Sequence, residues 1–237
     1  MTQRTARMYQ SWRDLLFLHW PVDPATIQST LPPGLTADCH QGVSYLGVVP
    51  FIMHGLRPRF LPPCPGISYF PELNLRTYVR DASGRPGVWF YSLDAQSRIS
   101  VAIAQRFFHL PYVYAKMGSS RKADGSIHFR AARSGQPTQV LTYRPTQKLG
   151  TATPSSLEHF LVERYRLFAY DAKKKQLHMG ELSHSPYVLH EAEVSNYSTD
   201  LFGLNGFEAP KTEPCHAVYS AGVRVEVYDM QRIPFDG

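Results

Sequence analysis

A stretch of alternating side chains at 72–80 constrains the fold of this chain more than any other feature. It reads Glu-Leu-Asn-Leu-Arg-Thr-Tyr-Val-Arg. Because the side chains of a strand point alternately to its two faces, an extended conformation separates these residues into two sets. One set is Leu73, Leu75, Thr77 and Val79, and the other is Glu72, Asn74, Arg76, Tyr78 and Arg80. The second face is either solvated or lines a polar interior, and the pattern leaves both alternatives open.

The composition favours a β-rich globular protein over a disordered one. Of the 237 residues, 43% are hydrophobic and 19% are charged. The 19 prolines and 16 glycines favour many turns between short strands, and 13 phenylalanines and 14 tyrosines add β-propensity. A β-rich barrel of this length is commonly one domain. We therefore predict a mainly β (α+β) fold with a few helices, in a single domain spanning 1–237.

Local patterns predict several elements around the central stretch. The turn residues at 81–87 should join 72–80 to a partner strand at 88–95 in a hairpin. Helical spacing of apolar residues predicts a central helix at Ser97–Phe108, with Ser97 as its N-cap. A second helix should begin at Ser155, three residues before a glutamate in capping-box spacing.

Charge and cysteine content limit the expected partners. The formal net charge is +6, but the densest basic run is only 173–175, so we expect no nucleic-acid partner. Positive charge inside a cavity would instead favour a carboxylate or phosphate ligand. Three separated cysteines do not form a disulfide framework and fit a reducing compartment. No segment approaches the roughly 20 apolar residues of a membrane helix, so we predict a cytoplasmic protein without a membrane partner.

No motif in the chain indicates a cofactor. The ten histidines and three cysteines show no zinc-type pairing, and there is no phosphate loop, dinucleotide fingerprint or nucleophile elbow. We therefore predict neither a metal site nor a bound cofactor.

Several unusual strings in this chain together resemble one family. They are Val22-Asp23-Pro24, Leu31-Pro32-Pro33-Gly34-Leu35, Val49-Pro50-Phe51, the string from Phe70 to Val79, the string from Gly87 to Asp94, and Leu110-Pro111-Tyr112. They resemble the uncharacterised bacterial YqjF-like family, or domain of unknown function 2071, over nearly the whole chain. That family is similar to the acetoacetate decarboxylases, whose fold is a large, mostly antiparallel, cone-shaped β-barrel around an interior cavity. The resemblance implies the same fold here.

The chain departs from the decarboxylases at their catalytic motif. In those enzymes, the resemblance implies, the first lysine of a Pro-Lys-Lys string forms a Schiff base and the second lowers its pKa. The matching string here is Pro111-Tyr112-Val113, which supplies no amine, so the reaction cannot be carried over by that motif. Lys116 is the nearest substitute, because in a regular strand it would face the same cavity as Tyr112 and Tyr114. The alternative is that Lys116 reaches solvent at a strand end.

Further candidates come from the polar face and from the end of the central helix. If 72–80 faces an interior, its binding floor is formed by Glu72, Asn74, Arg76 and Tyr78. Arg76 would then be an anion clamp. Arg106 and His109 lie near the end of the central helix. His109 is either a general acid or base at the cavity edge or a cap on the last helical turn.

Two functional hypotheses remain open from the sequence. The first is an enzyme acting on a small carbonyl or carboxylate compound, with Lys116, Glu72 and Tyr112 as catalytic residues. The second is a non-catalytic protein that binds a hydrophobic or anionic ligand. In both, the ligand-binding candidates are Asn74, Arg76, Tyr78, Tyr114, Arg106 and His109. Assembly into a homo-oligomer is left open by the sequence.

Overall fold

Fourteen strands and four helices make up the computed structural model, which describes residues 5–235. The strands are β1 (Met8–Val22), β2 (Leu35–Ala37), β3 (Ser44–Pro58), β4 (Tyr69–Asp81), β5 (Pro86–Ala95), β6 (Tyr112–Tyr114), β7 (Lys116–Arg121), β8 (Ile127–Ala132), β9 (Gln139–Gly150), β10 (Arg166–Asp171), β11 (Gln176–Ser183), β12 (Leu189–Tyr197), β13 (His216–Val227) and β14 (Gln231–Ile233). The helices are α1 (Pro24–Gln28), α2 (Arg98–Phe108), α3 (Leu157–Val162) and α4 (Asp200–Gly203).

Seven of the strands form a closed ring. The order β11-β10-β5-β4-β3-β1-β13 is closed by pairing of β11 with β13, Leu182 opposite Val227. The neighbours in the ring are antiparallel except for β5 and β10. Strands β12, β9, β8 and β7 continue the sheet from β13 as an arm outside the ring. The predicted mainly β, mostly antiparallel fold is confirmed, and the single-domain assignment stays a prediction.

Strand β4 is buried on both of its faces. Leu73 and Leu75 are 0% exposed and pack in one hydrophobic cluster with residues of the arm such as Phe129 and Leu141. On the other face, Glu72 is 2% exposed and Arg76 is 9% exposed. The ring thus has an outer wall covered by the arm and an inner wall that carries polar groups. The solvated alternative is wrong for Glu72, Asn74, Arg76 and Tyr78, because a ring of strands gives that face an interior, and it holds only at the strand end, where Arg80 is exposed.

A bulge in β1 sends extra apolar residues to the inside of the ring. Asp14 has a positive φ of 53°, and the pairing register between β1 and β3 shifts between Arg13 and Leu18. Because a bulge inserts one extra residue, odd- and even-numbered residues exchange faces of the strand at this point. Trp12 before the bulge and Phe17 after it therefore belong to the same hydrophobic cluster.

The two longer helices begin at capped serines. The backbone N–H of Ser100 donates to Oγ of Ser97 over 3.2 Å, which confirms the predicted cap of α2. In α3 the cap is Ser156, whose Oγ accepts from the N–H of His159 over 3.2 Å. The predicted start at Ser155 is wrong by one residue, because Ser155 has a left-handed φ of 70° that a helix start does not use.

The helices and the cysteines are the features that bear on a membrane partner and on the compartment. Within residues 5–235, no helix combines the length and the apolar character that crossing a bilayer requires. Cys39, Cys64 and Cys215 are all free thiols. The cytoplasmic location stays a prediction.

Candidate functional site

A pocket with a volume of about 450 Å³ lies inside the ring, and we call it the ring pocket. All seven ring strands contribute residues to its lining, together with α2, β6 and the segment after β3. Most of the wall is apolar, with aromatic and aliphatic side chains such as Trp12, Phe17, Phe51, Met53, Phe70 and Phe90. The polar lining residues include Gln10, Glu72, Asn74, Arg76, Tyr112, Arg164, Arg166 and Glu181. An apolar wall with a few polar groups is typical of small-molecule sites.

Glu72 and Tyr112 form a hydrogen-bonded pair in this pocket. The Tyr112 hydroxyl donates to Oε2 of Glu72 over 3.1 Å. Burial raises the pKa of Glu72 to about 8, the nearby Asp94 carboxylate adds to the rise, and the bond from Tyr112 opposes it. Burial and the same contact raise the pKa of Tyr112 well above its ordinary value. At neutral pH the Glu72 carboxyl is therefore mainly protonated and can donate a hydrogen bond or a proton.

Arg76 is a buried cation without a carboxylate partner in the part of the chain that the structure describes. Its Nη2 donates to the carbonyl of Leu161 over 2.9 Å and to the hydroxyl of Tyr78 over 3.4 Å. Its Cζ lies 5.4 Å from the centre of the Phe17 ring. Since a buried charge is costly unless it is paired, this guanidinium is suited to an anionic ligand.

Two other arginines of the ring pocket are already paired with carboxylates of the protein. Nη1 of Arg164 donates to Asp38 over 2.9 Å, and Nε of Arg166 donates to Glu181 over 3.0 Å. Sequence reasoning missed both arginines, since their acidic partners are on other strands or loops. Among the described residues, two arginines of the lining then have no carboxylate contact, the half-buried Arg57 and the buried Arg76, and burial makes the unbalanced charge costly at Arg76.

Asn74 and Trp12 add polar atoms that the protein leaves unsatisfied. Asn74 lies between Glu72 and Arg76 on the same face of β4, and its Oδ1 has no hydrogen-bond partner among residues 5–235. The same is true of Nε1 of Trp12. The polar lining thus combines a neutral acid, an unpaired cation and amide and indole groups.

The predicted catalytic lysine is not in this site. Lys116 is exposed on β7, which pairs with β8 in the arm, whereas Tyr112 belongs to β6, which pairs with β5. The expectation that both face one cavity is wrong, because 112–116 is two strands and not one regular strand. No lysine from the described residues lines the ring pocket. Tyr114 is also outside the lining and packs under Arg98, whose Cζ is 3.9 Å from its ring centre.

Arg106 and His109 line a different depression, an open groove of about 750 Å³ that we call the α2 groove. His109 occupies the C-cap of α2 with a left-handed φ of 52°, and its Nε2 lies 3.9 Å from Oδ2 of Asp171. The placement of His109 in the lining of the main cavity is wrong, and the helix-cap alternative describes its position. Phe90 and Leu110 line both the α2 groove and the ring pocket and so form part of the wall between them.

Tyr78 is fully buried but does not line the ring pocket. Its hydroxyl lies 2.6 Å from Nε2 of His19, and Nδ1 of His19 lies 3.0 Å from Nδ1 of His216. Burial lowers the pKa of His19 well below its ordinary value and that of His216 to about 4. Sequence reasoning missed both histidines, which are 197 positions apart. Within residues 5–235, no group of three or more His, Cys, Asp or Glu residues is arranged to hold a metal ion.

The ring of strands gives the molecule an acetoacetate-decarboxylase-like fold. It is similar to the enduracididine biosynthesis enzyme MppR complexed with pyruvate, with a TM-score of 0.69, 14% identity and coverage of 98% of this chain and 92% of that one. It is also similar to the acetoacetate decarboxylase of Legionella pneumophila, with a TM-score of 0.68, 12% identity and coverage of 99% and 90%. At these identities the likeness concerns the fold alone.

The sequence places the chain in one family. The model of the DUF2071 family, described as an uncharacterized conserved protein, matches residues 9–224. The uncharacterized protein YqjF of Bacillus subtilis (strain 168) is 39% identical over 209 residues, which are 87% of this chain and 85% of that one. The chain belongs to the DUF2071 family, which confirms the resemblance expected from its motifs.

Proposed function

We propose that the ring pocket binds a small organic carboxylate or keto acid that has an apolar body, with Arg76 holding the anionic group. The observation that carries this proposal is the buried Arg76 guanidinium, which lines the pocket and has no carboxylate contact among the described residues. An anionic group of the ligand would supply the missing negative charge. The apolar wall suits the rest of such a ligand.

Glu72 extends the proposal to a carbonyl group. A protonated carboxyl can donate a hydrogen bond to a carbonyl oxygen, and the pKa of about 8 keeps Glu72 protonated at neutral pH. Tyr112 holds the Glu72 carboxyl in place through its hydroxyl. One fold relative, MppR, is described in complex with pyruvate, which is a keto acid. Catalysis in this site would be acid–base chemistry by Glu72, since no lysine from the described residues lines the pocket.

A non-catalytic binding protein is the second candidate. It is favoured by the largely apolar wall and by Tyr112 at the position that matches the Schiff-base lysine of the decarboxylases. Both candidates share the anion contact at Arg76 and differ only in what happens to the ligand. A ligand that co-purifies and is released unchanged, as seen by native mass spectrometry, would support the second.

Titration calorimetry with a defined probe panel tests the shared claim. The probes are pyruvate, acetoacetate, octanoate and 4-phenylbutyrate, and the variants are Arg76→Gln and, as a matched control, the exposed Arg224→Gln. A charged hydrogen bond contributes about 1.5–3 kcal/mol, so Arg76→Gln should weaken the bound probe at least about tenfold. Arg224→Gln should leave the affinity unchanged. Binding of no probe, or equal loss in both variants, would contradict the proposal.

Proton exchange separates an enzyme from a binder. In an acid–base enzyme, Glu72 would protonate the carbonyl oxygen while a water molecule takes the proton from the neighbouring carbon, and the enol would then take up deuterium from heavy water at that carbon. Deuterium uptake into acetoacetate or pyruvate should therefore be accelerated, and Glu72→Gln should abolish the acceleration. Nuclear magnetic resonance of the probe in heavy water measures this uptake directly. A wild-type protein that binds the probe without accelerating uptake is the binder.

A further inference from the structure

Four neighbouring strands of the ring carry a row of aligned residues that ends at Arg76. His216 on β13 is opposite His19 on β1, His19 is opposite Gly47 on β3, and Gly47 is opposite Arg76 on β4. His19 is 0% exposed and His216 is 7% exposed. The row therefore runs along the ring wall, across four strands, from His216 to Arg76, the residue proposed to hold the anion.

Gly47 leaves the space through which this row makes contact. A Cβ atom at position 47 would lie 2.8 Å from both Cδ2 and Nε2 of His19, and 3.5 Å from the hydroxyl of Tyr78. A side chain at this position would push the His19 ring away from Tyr78, since real Cβ contacts are not this short. Because Gly47 has no side chain, the His19 ring extends from β1 across β3 and reaches Tyr78 on β4. Tyr78 is two residues after Arg76.

The hydrogen bonds of the row are satisfied by one assignment of protons. Tyr78 donates to the carbonyl of Leu161 over 2.7 Å, so Nε2–H of His19 donates to the Tyr78 oxygen over 2.6 Å. Nδ1 of His19 then accepts from Nδ1–H of His216 over 3.0 Å. The opposite assignment would leave an unpaired N–H at Nε2 of His216, which is buried and has no partner among the described residues. An orphaned acceptor costs less than an orphaned donor, which favours the first assignment.

The Tyr78 hydroxyl and the Leu161 carbonyl, which end the row, also accept hydrogen bonds from Arg76. Its Nη2 donates to the Leu161 carbonyl over 2.9 Å and to the Tyr78 hydroxyl over 3.4 Å. The orientation of the guanidinium thus depends on where Tyr78 and the Leu161 carbonyl are held. Tyr78 is in turn held by His19, and His19 by His216.

We infer that His19 and Tyr78 are positioning residues that hold Arg76 in its orientation for binding a carboxylate, with His216 fixing the tautomer of His19 and Gly47 making room for the contact. This inference rests on the proposed function of the ring pocket. The row acts through Arg76 and does not touch the ligand, since neither His19 nor Tyr78 is among the lining residues.

The test compares an anionic probe with its neutral counterpart. In calorimetry, His19→Leu and Tyr78→Phe should weaken 4-phenylbutyrate at least about tenfold and leave 4-phenylbutyramide within about twofold, because only the anion needs Arg76 in place. His19→Gln keeps an N–H near the position of Nε2 and should restore most of the affinity. His128→Leu, which removes a half-buried histidine of the arm, is the control. Equal weakening of both probes, or of neither, would overturn the inference.

A second readout needs no ligand and separates this inference from the proposed function. In ¹⁵N-labelled wild-type protein, the His19 ring should carry its proton on Nε2 and the His216 ring on Nδ1. The Nη2–H protons of Arg76, which donate to the Tyr78 hydroxyl and the Leu161 carbonyl, should exchange with water at least about tenfold faster in His19→Leu and Gly47→Ala than in wild type or His19→Gln. If wild type binds neither probe, the proposed function fails while these signals still decide the positioning. Unchanged exchange in the variants, or the opposite tautomers, would overturn it.

Discussion

The ring pocket and the α2 groove contain the same kinds of side chain, but the pKa of the acid is raised in the first and lowered in the second. Both have an acid, basic groups and aromatic rings. In the ring pocket, Glu72 is buried with a raised pKa and Arg76 has no carboxylate contact among the described residues. In the α2 groove, the acid Asp171 accepts hydrogen bonds from the backbone N–H of Lys173 and Lys174, and its pKa is lowered. Both acids are buried, so the difference comes from their hydrogen bonds: two backbone N–H groups stabilise the Asp171 carboxylate, whereas within residues 5–235 Glu72 receives only the Tyr112 hydroxyl.

The largest expected difference between the two regions concerns the pH dependence of stability at Glu72. Its folded-state pKa of about 8 lies above the unfolded value of 4.5. The stabilisation is therefore full at low pH and is lost as the pH rises towards the folded pKa. From about pH 5 to about pH 8, the free energy of unfolding should fall by roughly 3 kcal/mol more in wild type than in Glu72→Gln. Urea unfolding at several pH values measures this.

The control for Glu72 is the exposed Glu208→Gln, which should follow the wild-type pH curve. If Glu72→Gln and wild type show parallel curves, the carboxyl of Glu72 is already ionised in the folded protein. The ring pocket would then lose its neutral acid, and the contrast with Asp171 would disappear.

The second expected difference concerns anion binding. Reversing the charge of the α2 groove with Lys173→Glu and Lys174→Glu should change the affinity for 4-phenylbutyrate by no more than about twofold, because surface charges are screened. Arg76→Gln should cost at least about tenfold in the same titration. If the groove variants cost more than Arg76→Gln, the anion binds in the α2 groove and the comparison is reversed.

A smaller effect should come from the backbone of His109 at the edge of the α2 groove. Its φ of 52° is a left-handed conformation that glycine adopts without a Cβ penalty. His109→Gly should therefore be more stable than His109→Ala by about 1 kcal/mol in chemical unfolding. Equal stability of the two variants would mean that the C-cap of α2 relaxes, and that the groove is not held by this residue.

The smallest effect is expected at Lys116. Because this side chain is exposed on β7, Lys116→Met should change stability by less than about 0.5 kcal/mol and leave probe binding unchanged. Borohydride reduction with acetoacetate should leave no mass adduct on Lys116. An adduct there, lost in Lys116→Met, would restore imine chemistry and move the active site out of the ring pocket.

Local rules predicted those parts of the structure that depend on neighbours in the chain. The turn at 81–87 joins β4 and β5, with the Asp81 carboxylate accepting the backbone N–H groups of Ser83 and Arg85. Ser97 caps α2 as expected. Glu72, Asn74 and Arg76 line the ring pocket together with Tyr112, whereas Tyr78 and Arg80 of the same polar face do not, and sequence alone left the direction of the face open. Their roles in binding or catalysis stay predictions.

Strict alternation of side chains stops describing the structure where one residue changes the direction of everything after it. The bulge at Asp14 brings both Trp12 and Phe17 inside, which strict alternation does not allow. The break between β6 and β7 turns Lys116 outward, away from Tyr112. A period-two pattern carries no information beyond such a point, because the register depends on which strand pairs with the next one.

The sequence by itself determined the family, the strand-rich class and the two chemically distinct faces of 72–80, because these depend on residue identity and short-range spacing. Only the tertiary structure decided which face encloses a pocket, that Glu72 becomes a weak acid, and that His216, His19, Gly47 and Arg76 align across four strands. The physical reason is that pKa values and charge pairing depend on burial and on partners. Those partners are brought together by closure of the ring from positions as far apart as 19 and 216.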